Sequence, residues 1–365
     1  GTGDFTHPKW MDELQESLQE LKPGLYGLKN TQSDVSFMFT EEVASIYKKG
    51  DKVRRVHNLI FAPTIETALK LNQALEKRGA NLRSDGRPIM VVPCDELVKI
   101  CKSVDEGIEI IPAHVWTPHF GVFGSLSGFD SLEEAFGDQA KYIFAIETGL
   151  SSDPKMNWQI SGLDKISLIS NSDAHSLRKL GREANLFKIN ESKLSYAEII
   201  RVIKEKNPKE FLSTIEFFPE EGKYHLDGHA NCKFSCESQK TDELGGLCPV
   251  CGKKLLRGVM NRVSVLADRV VGSAPLNQVP FRSVIPLEEI IAETLGVGVA
   301  SKKVMALYES AVSQSPEFNL LLESSKSELV NILGEVVANS VLKVREGQVQ
   351  IAAGYDGVFG KISID

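Results

Sequence analysis

The segment ISLISNSDAHS, residues 166–176, decides how the first half of this chain folds. Its apolar first part fits a buried strand, and Asp173 and His175 follow two positions apart where that strand would end. In parallel strand–helix barrels, reactive side chains converge at the carboxyl ends of the strands. The segment therefore predicts a parallel strand–helix architecture with a polar site at its strand ends.

Similar apolar runs alternate with helix-period segments up to about residue 215, as in strand–helix units around a parallel sheet or barrel. The predicted strands are VRRVHNLIFA (53–62), PIMVVP (88–93), IEIIPAHV (108–115), KYIFAIETG (141–149) and ISLISNSD (166–173). The predicted helices are MDELQESLQEL (11–21), TIETALKLNQALEKR (64–78) and SYAEIIRVIKEK (195–206). Beyond Pro280 the pattern is helical again, and GQVQIAAGYDGVFGKISID (347–365) is typical of a terminal β-hairpin.

The composition indicates a globular protein of about two or three domains. Of its 365 residues, 42% are hydrophobic and 25% are charged. The net charge of −7 argues against a protein covered in positive potential, although it does not exclude a local basic face. No apolar run approaches the length of a membrane span, and the opening GTGDFTHPKW resembles neither a signal nor a transit peptide. We therefore expect a cytoplasmic protein with no membrane partner.

Acidic and imidazole side chains recur at or near the predicted strands. These candidate ligands are Asp4, His7, Glu41, Glu42, His57, His114, Glu147, Asp173 and His175. Mixed carboxylates and imidazoles suit two or three divalent cations held close together, and such clusters hydrolyse phosphate esters. A single histidine near a strand end is more often a hydrogen-bonded rim residue. The repetition of the pattern along successive strands favours the metal interpretation.

Four cysteines, Cys232, Cys236, Cys248 and Cys251, form the pairs CKFSC and CPVCG. Their spacing predicts a closed, structural zinc site, with a redox dithiol as the alternative. We expect the nearby His225 and His229 to be spectators.

Two segments could contact DNA phosphates. The first follows the cysteines and contributes Lys253, Lys254, Arg257, Arg262 and Arg269. The second, TLGVGVASKKV (294–304), weakly resembles a helix-hairpin-helix and contributes Lys302 and Lys303. The alternative for the first segment is a solvated helix face. The alternative for the second is an ordinary helical connection.

Several longer motifs carry a family resemblance: NSDAHS, PAHVWTPHFGVFGS (112–125), AIETGLSSDP (145–154), GTGDFTHP (1–8) and GREAN (181–185). Together they resemble the polymerase and histidinol phosphatase (PHP) superfamily, and more closely its endonuclease Q family, whose members nick DNA on the 5′ side of deaminated bases. The resemblance implies an α/β fold with a PHP-type distorted (β/α)7 barrel. It also implies three regions: a PHP domain at 1–220, a four-cysteine zinc module at 221–256, and a mainly helical domain with the hairpin at 257–365.

The resemblance also implies roles for particular residues. Its ligand positions correspond to Asp4, Glu42, His57, His114, Asp173 and His175, with His7 and Glu147 around the cluster. Asp173, His175 and Glu147 are the expected catalytic residues, and Zn²⁺, Mg²⁺ or Mn²⁺ the expected barrel metals. The family normally carries an H-x-H pair on its first strand, which this sequence lacks. We expect that an N-terminal segment precedes this chain, since a barrel without its opening strand would leave two unpaired edges; loss of two ligands is the alternative.

The expected function is a metal-dependent endonuclease that nicks DNA 5′ to uracil, hypoxanthine, xanthine or an abasic site. Aromatic and histidine side chains in loops after the ligand-bearing strands could stack on an extruded base, although packing is the alternative for each. These candidates are Trp116, His119, Phe120, Phe123 and Trp158. Two other functions fit the sequence: a PHP-type phosphoesterase acting on a small phosphorylated metabolite, and a non-catalytic DNA-binding protein.

Overall fold

The structure is a computed structural model that describes residues 1–364. The α-helices are α1 Pro8–Ser17, α2 Ile65–Lys77, α3 Cys94–Val104, α4 Leu132–Phe136, α5 Pro154–Asn157, α6 Tyr196–Glu205, α7 Ser238–Glu243, α8 Val259–Leu266, α9 Leu287–Leu295, α10 Lys302–Gln314, α11 Lys326–Leu333 and α12 Glu335–Arg345. The strands are β1 Leu18–Lys22, β2 Leu25–Leu28, β3 Phe39–Lys49, β4 Lys52–Ala62, β5 Ile89–Met90, β6 Glu109–Pro112, β7 Ala145–Glu147, β8 Ser167–Ile169, β9 Ala184–Phe187, β10 Phe211–Glu216, β11 Asp227–His229, β12 Phe234–Cys236, β13 Phe281–Ser283, β14 Gln350–Ala352 and β15 Lys361–Ser363. The predicted mixed α/β fold with a helical C-terminal region is confirmed.

Three sheets surround the predicted site. The largest has the order β5-β3-β4-β6, and its β3 and β4 form a long antiparallel hairpin. Strands β7 and β8 pair in parallel, and β13-β10-β9 form a third sheet. Among residues 1–364 the strands thus pair as separate sheets, and the seven-stranded barrel remains a prediction.

The first predicted helix ends earlier than the sequence indicated. Helix α1 stops at Ser17, and the chain continues as β1, which pairs antiparallel with β2. Pro23 and Gly24 connect the two strands, and the φ of Gly24 is +73°. Proline followed by glycine is the preferred centre of a type II turn, so local turn chemistry outweighs the helical spacing of residues 18–21. The helices predicted at 64–78 and 195–206 are confirmed as α2 and α6.

The apolar side chains form three cores. The largest lies in the first half of the chain and includes Trp116 and, from α8, Val259 and Val263. A second core fills the helical C-terminal region, and Ile362 of β15 packs into it. The third lies between α6 and the strands on which it packs. Because α8 contributes to the first core, the segment after the cysteines is fixed against the site-bearing half of the molecule.

The glycine-rich loop between β14 and β15 packs against the segment before the zinc module. The amide of Gly354 donates to the carbonyl of Glu220 over 2.8 Å, and the amide of Leu226 donates to the carbonyl of Gly354 over 2.9 Å. A Cβ on Gly360 would lie 2.0 Å from the Glu220 carbonyl oxygen. Close backbone contact within the protein therefore explains these glycines.

None of the helices within residues 1–364 has the length and apolar character that crossing a membrane requires.

Candidate metal centre

Three side chains from neighbouring strands converge on one point. Glu42 lies on β3, His57 on β4, and His114 two residues after β6. The Oε1 atom of Glu42 lies 2.6 Å from Nδ1 of His57 and 3.4 Å from Nε2 of His114. The two imidazole nitrogens are 3.1 Å apart. One carboxylate oxygen and two ring nitrogens thus face a common centre, which is the donor set that a divalent cation takes.

Hydrogen bonds orient the ring of His114 toward that centre. The hydroxyl of Thr117 donates to the backbone carbonyl of His114 over 2.9 Å, so its oxygen accepts from Nδ1 of the same histidine over 2.8 Å. Nδ1 is therefore paired with Thr117, which leaves Nε2 facing Glu42. Metal-binding histidines are held in this way, with the other ring nitrogen hydrogen-bonded. The residues present fit a cation.

Contacts with His57 and His114 determine the charge of Glu42. Burial alone would raise the pKa of Glu42, but hydrogen bonds from His114 and His57 outweigh burial and lower the pKa well below its usual range. Burial lowers the pKa of His57. Burial also opposes charge on His114, but the hydrogen bond and charge of Glu42 prevail and raise the pKa of His114. Glu42 is consequently an anion, as a cation-binding carboxylate must be.

Glu147 contacts this group of three side chains through the backbone of His114. It ends β7, and its Oε2 accepts the backbone amide of His114 over 2.7 Å. Its Oε1 accepts from the side-chain amide of Asn171 over 2.8 Å. Burial raises the pKa of Glu147 to about 7. The sequence identified Glu147 but not Asn171, which lies in the quoted motif beside Asp173 and His175.

Asp173 and His175 lie on the loop after β8, outside the group of three. Asp173 is close enough for its negative charge to favour the charged form of His114, after the larger effects of burial and of Glu42. His175 is exposed, and its Nδ1 lies 2.9 Å from the Asp173 carbonyl oxygen. Since a carbonyl only accepts, Nδ1 is the donor and Nε2 keeps its lone pair.

The N-terminal candidates are Asp4, which is close to Glu42, and His7. Burial raises the pKa of Asp4, as do the charges of Asp85 and Glu42, so Asp4 and Glu42 are near neighbours. His7 precedes α1, and its amide donates to the carbonyl of Asp4 over 3.0 Å. Asp4 and His7 are not among the three side chains that converge.

Glu41 faces away from the centre. Successive strand residues point to opposite faces of a sheet, so Glu41 and Glu42 have different neighbours. The Oε2 atom of the buried Glu41 accepts a hydrogen bond from the amide of Thr6 over 2.7 Å. The sequence missed Arg87, whose NH1 lies 3.4 Å from Oε1 of Glu42.

The base-pocket candidates differ in their surroundings. Trp116 is buried, its Nε1 donates to Oδ1 of Asn157 over 2.8 Å, and its ring packs on Phe123. The packing alternative therefore holds for Trp116 and Phe123. The ring centroids of Phe120 and His57 are 4.3 Å apart. Three candidates remain for a base: His119 is exposed, and Phe120 and Trp158 are both half-buried, with Trp158 contacting a phenylalanine of β13 edge-on.

The cysteine cluster differs from the prediction at two residues. Ligand atoms of His229, Cys232, Cys248 and Cys251 all lie within 4.8 Å of one another. Cys236 is outside this group; it pairs within the β11–β12 sheet, and its Sγ lies 3.3 Å from Oγ1 of Thr241. His229 precedes Cys232 by three positions, as Cys248 precedes Cys251, and this matched spacing was the signal in the sequence.

The basic candidates near α8 are largely engaged within the protein. Arg262 donates to the carbonyls of Phe123 and Phe129, each over 2.8 Å, and pairs with Asp130 at 2.5 Å. These contacts join α8 to the site-bearing half, so Arg262 is structural. Arg257 contacts Asp242, and Arg269 pairs with Asp164 through both its terminal nitrogens.

The lysine candidates are exposed. Lys253 and Lys254 follow the second cysteine pair, and Lys302 and Lys303 begin α10. The hydroxyl of Ser301 caps α10 by accepting the amide of Val304 over 3.3 Å. These four side chains are available to a polyanion.

This chain is similar to several known proteins. The family model for the MJ0043 C-terminal domain matches residues 286–348. The uncharacterized protein MJ0043 of Methanocaldococcus jannaschii is 30% identical over 254 residues, which cover 68% of this chain and 31% of that protein. The uncharacterized protein YqxK of Bacillus subtilis is 28% identical over 308 residues, 84% of this chain and 73% of that protein. The chain thus spans about a third of the length of MJ0043 and most of YqxK.

Two solved structures match along the whole chain. The lesion-specific endonuclease PfuEndoQ from Pyrococcus furiosus is 30% identical with a TM-score of 0.86, and 86% of that chain is covered. An endonuclease Q complex with a 27-mer duplex substrate, which has an abasic lesion at the active site, is 31% identical with a TM-score of 0.86, and 87% of that chain is covered. Full-length similarity at this identity, together with the convergence of Glu42, His57 and His114, shows that the chain belongs to the endonuclease Q family.

Proposed function

We propose that this protein is a metal-dependent DNA repair endonuclease that nicks duplex DNA on the 5′ side of a damaged base. Its substrates would be deaminated bases (uracil, hypoxanthine and xanthine) and abasic sites. The observation that carries the proposal is the convergence of Glu42, His57 and His114 in a chain whose solved relatives include a lesion-specific endonuclease and a complex with lesion-bearing duplex.

The residues of the centre have separate tasks in this proposal. His57, His114 and Glu42 hold divalent cations, with Asp4, His7, Asp173 and His175 completing the cluster at the mouth of a PHP-type distorted barrel. Zn²⁺, Mg²⁺ or Mn²⁺ bound there supplies an activated water and stabilises the charge on the departing oxygen. Glu147 would position His114, because its carboxyl group accepts a hydrogen bond from the backbone amide of His114.

Recognition of the lesion follows from general physical chemistry. A deaminated or missing base pairs poorly, so its nucleotide costs less to extrude from the duplex than a normal one. His119, Phe120 and Trp158 are the remaining candidates to contact the extruded nucleotide. Lys253, Lys254 and Lys302, with Lys303, would bind phosphates along the duplex without reading its sequence.

The zinc module has a structural role in this proposal. With zinc bound, His229 and the thiolates of Cys232, Cys248 and Cys251 would form a closed four-ligand site with no position left for water. A cluster of free thiols suits a reducing compartment such as the cytoplasm. The module packs against α8, and so it orients the exposed Lys253 and Lys254 relative to the centre.

A nicking assay tests the proposal directly. End-labelled duplexes carrying one uracil, hypoxanthine or abasic site are incubated with the protein and Mg²⁺, Mn²⁺ or Zn²⁺, with and without chelator, beside an undamaged duplex. We expect a single cut on the 5′ side of the lesion that chelator abolishes. Glu42→Gln and His114→Ala should each reduce the rate more than about 100-fold, because loss of an outer partner alone costs about 10- to 100-fold.

The matched control is Glu76→Gln on the exposed face of α2, which should nick at the parent rate. Cleavage of phosphomonoesters with intact lesion DNA would favour a small-molecule phosphoesterase. Lesion DNA that is bound but never cut, with any of the three metals, would favour a non-catalytic binding protein.

A further inference from the structure

The loop that carries Asp173 and His175 adopts a conformation that needs support. The φ of Asp173 is +42°, in the left-handed region, which aspartate adopts as a single residue and not in runs. Such a conformation persists only when surrounding contacts fix it. The amide of Gly181 donates to the Ser172 hydroxyl over 3.3 Å, and two further hydrogen bonds come from one arginine, nine residues beyond Asp173.

Arg182 holds the two carbonyls on either side of the turn. Its Nε donates to the carbonyl oxygen of Ser172 over 2.8 Å, and its NH2 donates to the carbonyl oxygen of Asp173 over 3.3 Å. The guanidinium lies 5.4 Å from the ring centre of Phe217. Phe217 is itself fixed, since its amide donates to the buried Glu183 over 2.9 Å. The arginine is therefore oriented on one face by an aromatic ring and on its edge by two acceptors.

The same carbonyl connects Arg182 to His175. The oxygen of Asp173 accepts from NH2 of Arg182 and from Nδ1 of His175, the latter over 2.9 Å. The carbonyl fixes the tautomer of His175, and its position is fixed by the arginine. A displaced carbonyl would therefore move the Asp173 carboxylate and the Nε2 lone pair of His175 together.

We propose that Arg182 is a positioning residue that presents Asp173 and His175 for cation binding, an inference that rests on the proposed function. Arginine is needed here because its planar fork offers two donors in fixed geometry and stacks on an aromatic ring. A lysine keeps the charge, but it places a single ammonium where two separate carbonyls must be held.

The experiment measures metal binding separately from cleavage. Arg182→Met, Arg182→Lys and Arg182→Ala are compared with the parent and with Arg201→Met, a control on α6 whose half-buried arginine pairs with three nearby glutamates. Mn²⁺ affinity is measured by titration followed with electron paramagnetic resonance. Thermal unfolding, and duplex affinity in chelator, report whether each variant remains folded.

We expect all three Arg182 variants to bind Mn²⁺ about 10- to 100-fold more weakly, the range for loss of an outer partner. Their melting temperature and chelator-insensitive DNA affinity should match those of Arg201→Met. Guanidinium ion added at millimolar concentration should restore Mn²⁺ affinity to Arg182→Ala and not to Arg182→Met, whose side chain fills the space.

Parent-like Mn²⁺ affinity in Arg182→Met and Arg182→Lys would overturn the inference, as would a loss explained by general unfolding of both variants. A parent protein that binds no Mn²⁺ overturns it as well. If the parent binds Mn²⁺ and the variants bind it weakly, but the parent never cuts lesion DNA, the proposed function fails while the role of Arg182 stands. If the parent cuts and the variants bind and cut equally well, only the role of Arg182 fails.

Discussion

Replacing Glu216 by glutamine should change how the stability of this protein depends on pH. Glu216 ends β10, and its carboxyl is buried. Burial raises the pKa of this carboxyl to about 8. The hydrogen bond that its Oε2 accepts from the Thr148 hydroxyl over 2.8 Å favours the ionised form and lowers the pKa, but burial has the larger effect. The nearby Glu183 is also buried, and burial followed by the charge of Glu216 raises its pKa. Glu216 is therefore neutral in the folded protein at neutral pH.

The direction of the effect follows from proton binding. Between the ordinary value of 4.5 and about 8, the folded state keeps a proton on Glu216 that the unfolded chain releases. The stability that this proton provides is complete below about pH 4.5 and is lost as the pH rises through about 8. At about 1.4 kcal/mol for each pH unit, the interval corresponds to at most about 5 kcal/mol. Local relaxation around the ionised carboxylate lowers this cost, so we expect a change of about 2 to 5 kcal/mol.

Glutamine keeps an acceptor for Thr148 and cannot ionise. The free energy of unfolding of Glu216→Gln, relative to the parent, should therefore increase from about pH 5 to about pH 8 and then level off. Urea unfolding across this range measures it, with the exposed Glu76→Gln as the control for the loss of one acidic group. A difference between Glu216→Gln and the parent that stays constant with pH would refute the reasoning, because it would mean that Glu216 is already ionised in the folded state.

Three other changes test separate parts of the structure. His229→Ala should release the structural zinc while Cys236→Ser retains it, as elemental analysis of the purified proteins would show; the opposite result would restore the four-cysteine assignment. Arg262→Met should lower the free energy of unfolding by about 2 kcal/mol, because charged hydrogen bonds to two backbone carbonyls are lost, and should leave the salt dependence of DNA binding unchanged. Lys302→Gln and Lys303→Gln should each reduce the slope of log affinity against log salt by about one; unchanged slopes would remove these lysines from the interface.

The sequence predicted the residues whose position follows from a local pattern. His57 and His114 were identified because they sit on or just after recognisable apolar strands, and both contribute to the convergent group. The helices α2 and α6 followed from three-to-four spacing of their apolar residues. The choice between Glu41 and Glu42 depended on which face of β3 points inward. That choice needs the pairing of β3 with β4, which composition and spacing do not determine.

Other features depend on contacts between distant parts of the chain. Arg262 looked like a phosphate ligand because it follows a zinc module, but its partners lie more than a hundred residues away in sequence. Cys236 looked like a ligand because it pairs with Cys232 in CKFSC as Cys248 pairs with Cys251 in CPVCG, whereas in the structure its Sγ lies beside Oγ1 of Thr241. Trp116 could have stacked on a base, and only its burial reveals that it belongs to the core.

Glu42, His57 and His114 together bind cations in the proposed function. Crystals of the protein grown with Mn²⁺ would locate the ions by anomalous diffraction. We expect a manganese peak within about 2 to 2.5 Å of a Glu42 carboxylate oxygen and of the facing nitrogens of His57 and His114. Manganese bound elsewhere at full occupancy, with the mutual contacts of these three side chains unchanged and no ion between them, would show that they are not the metal ligands.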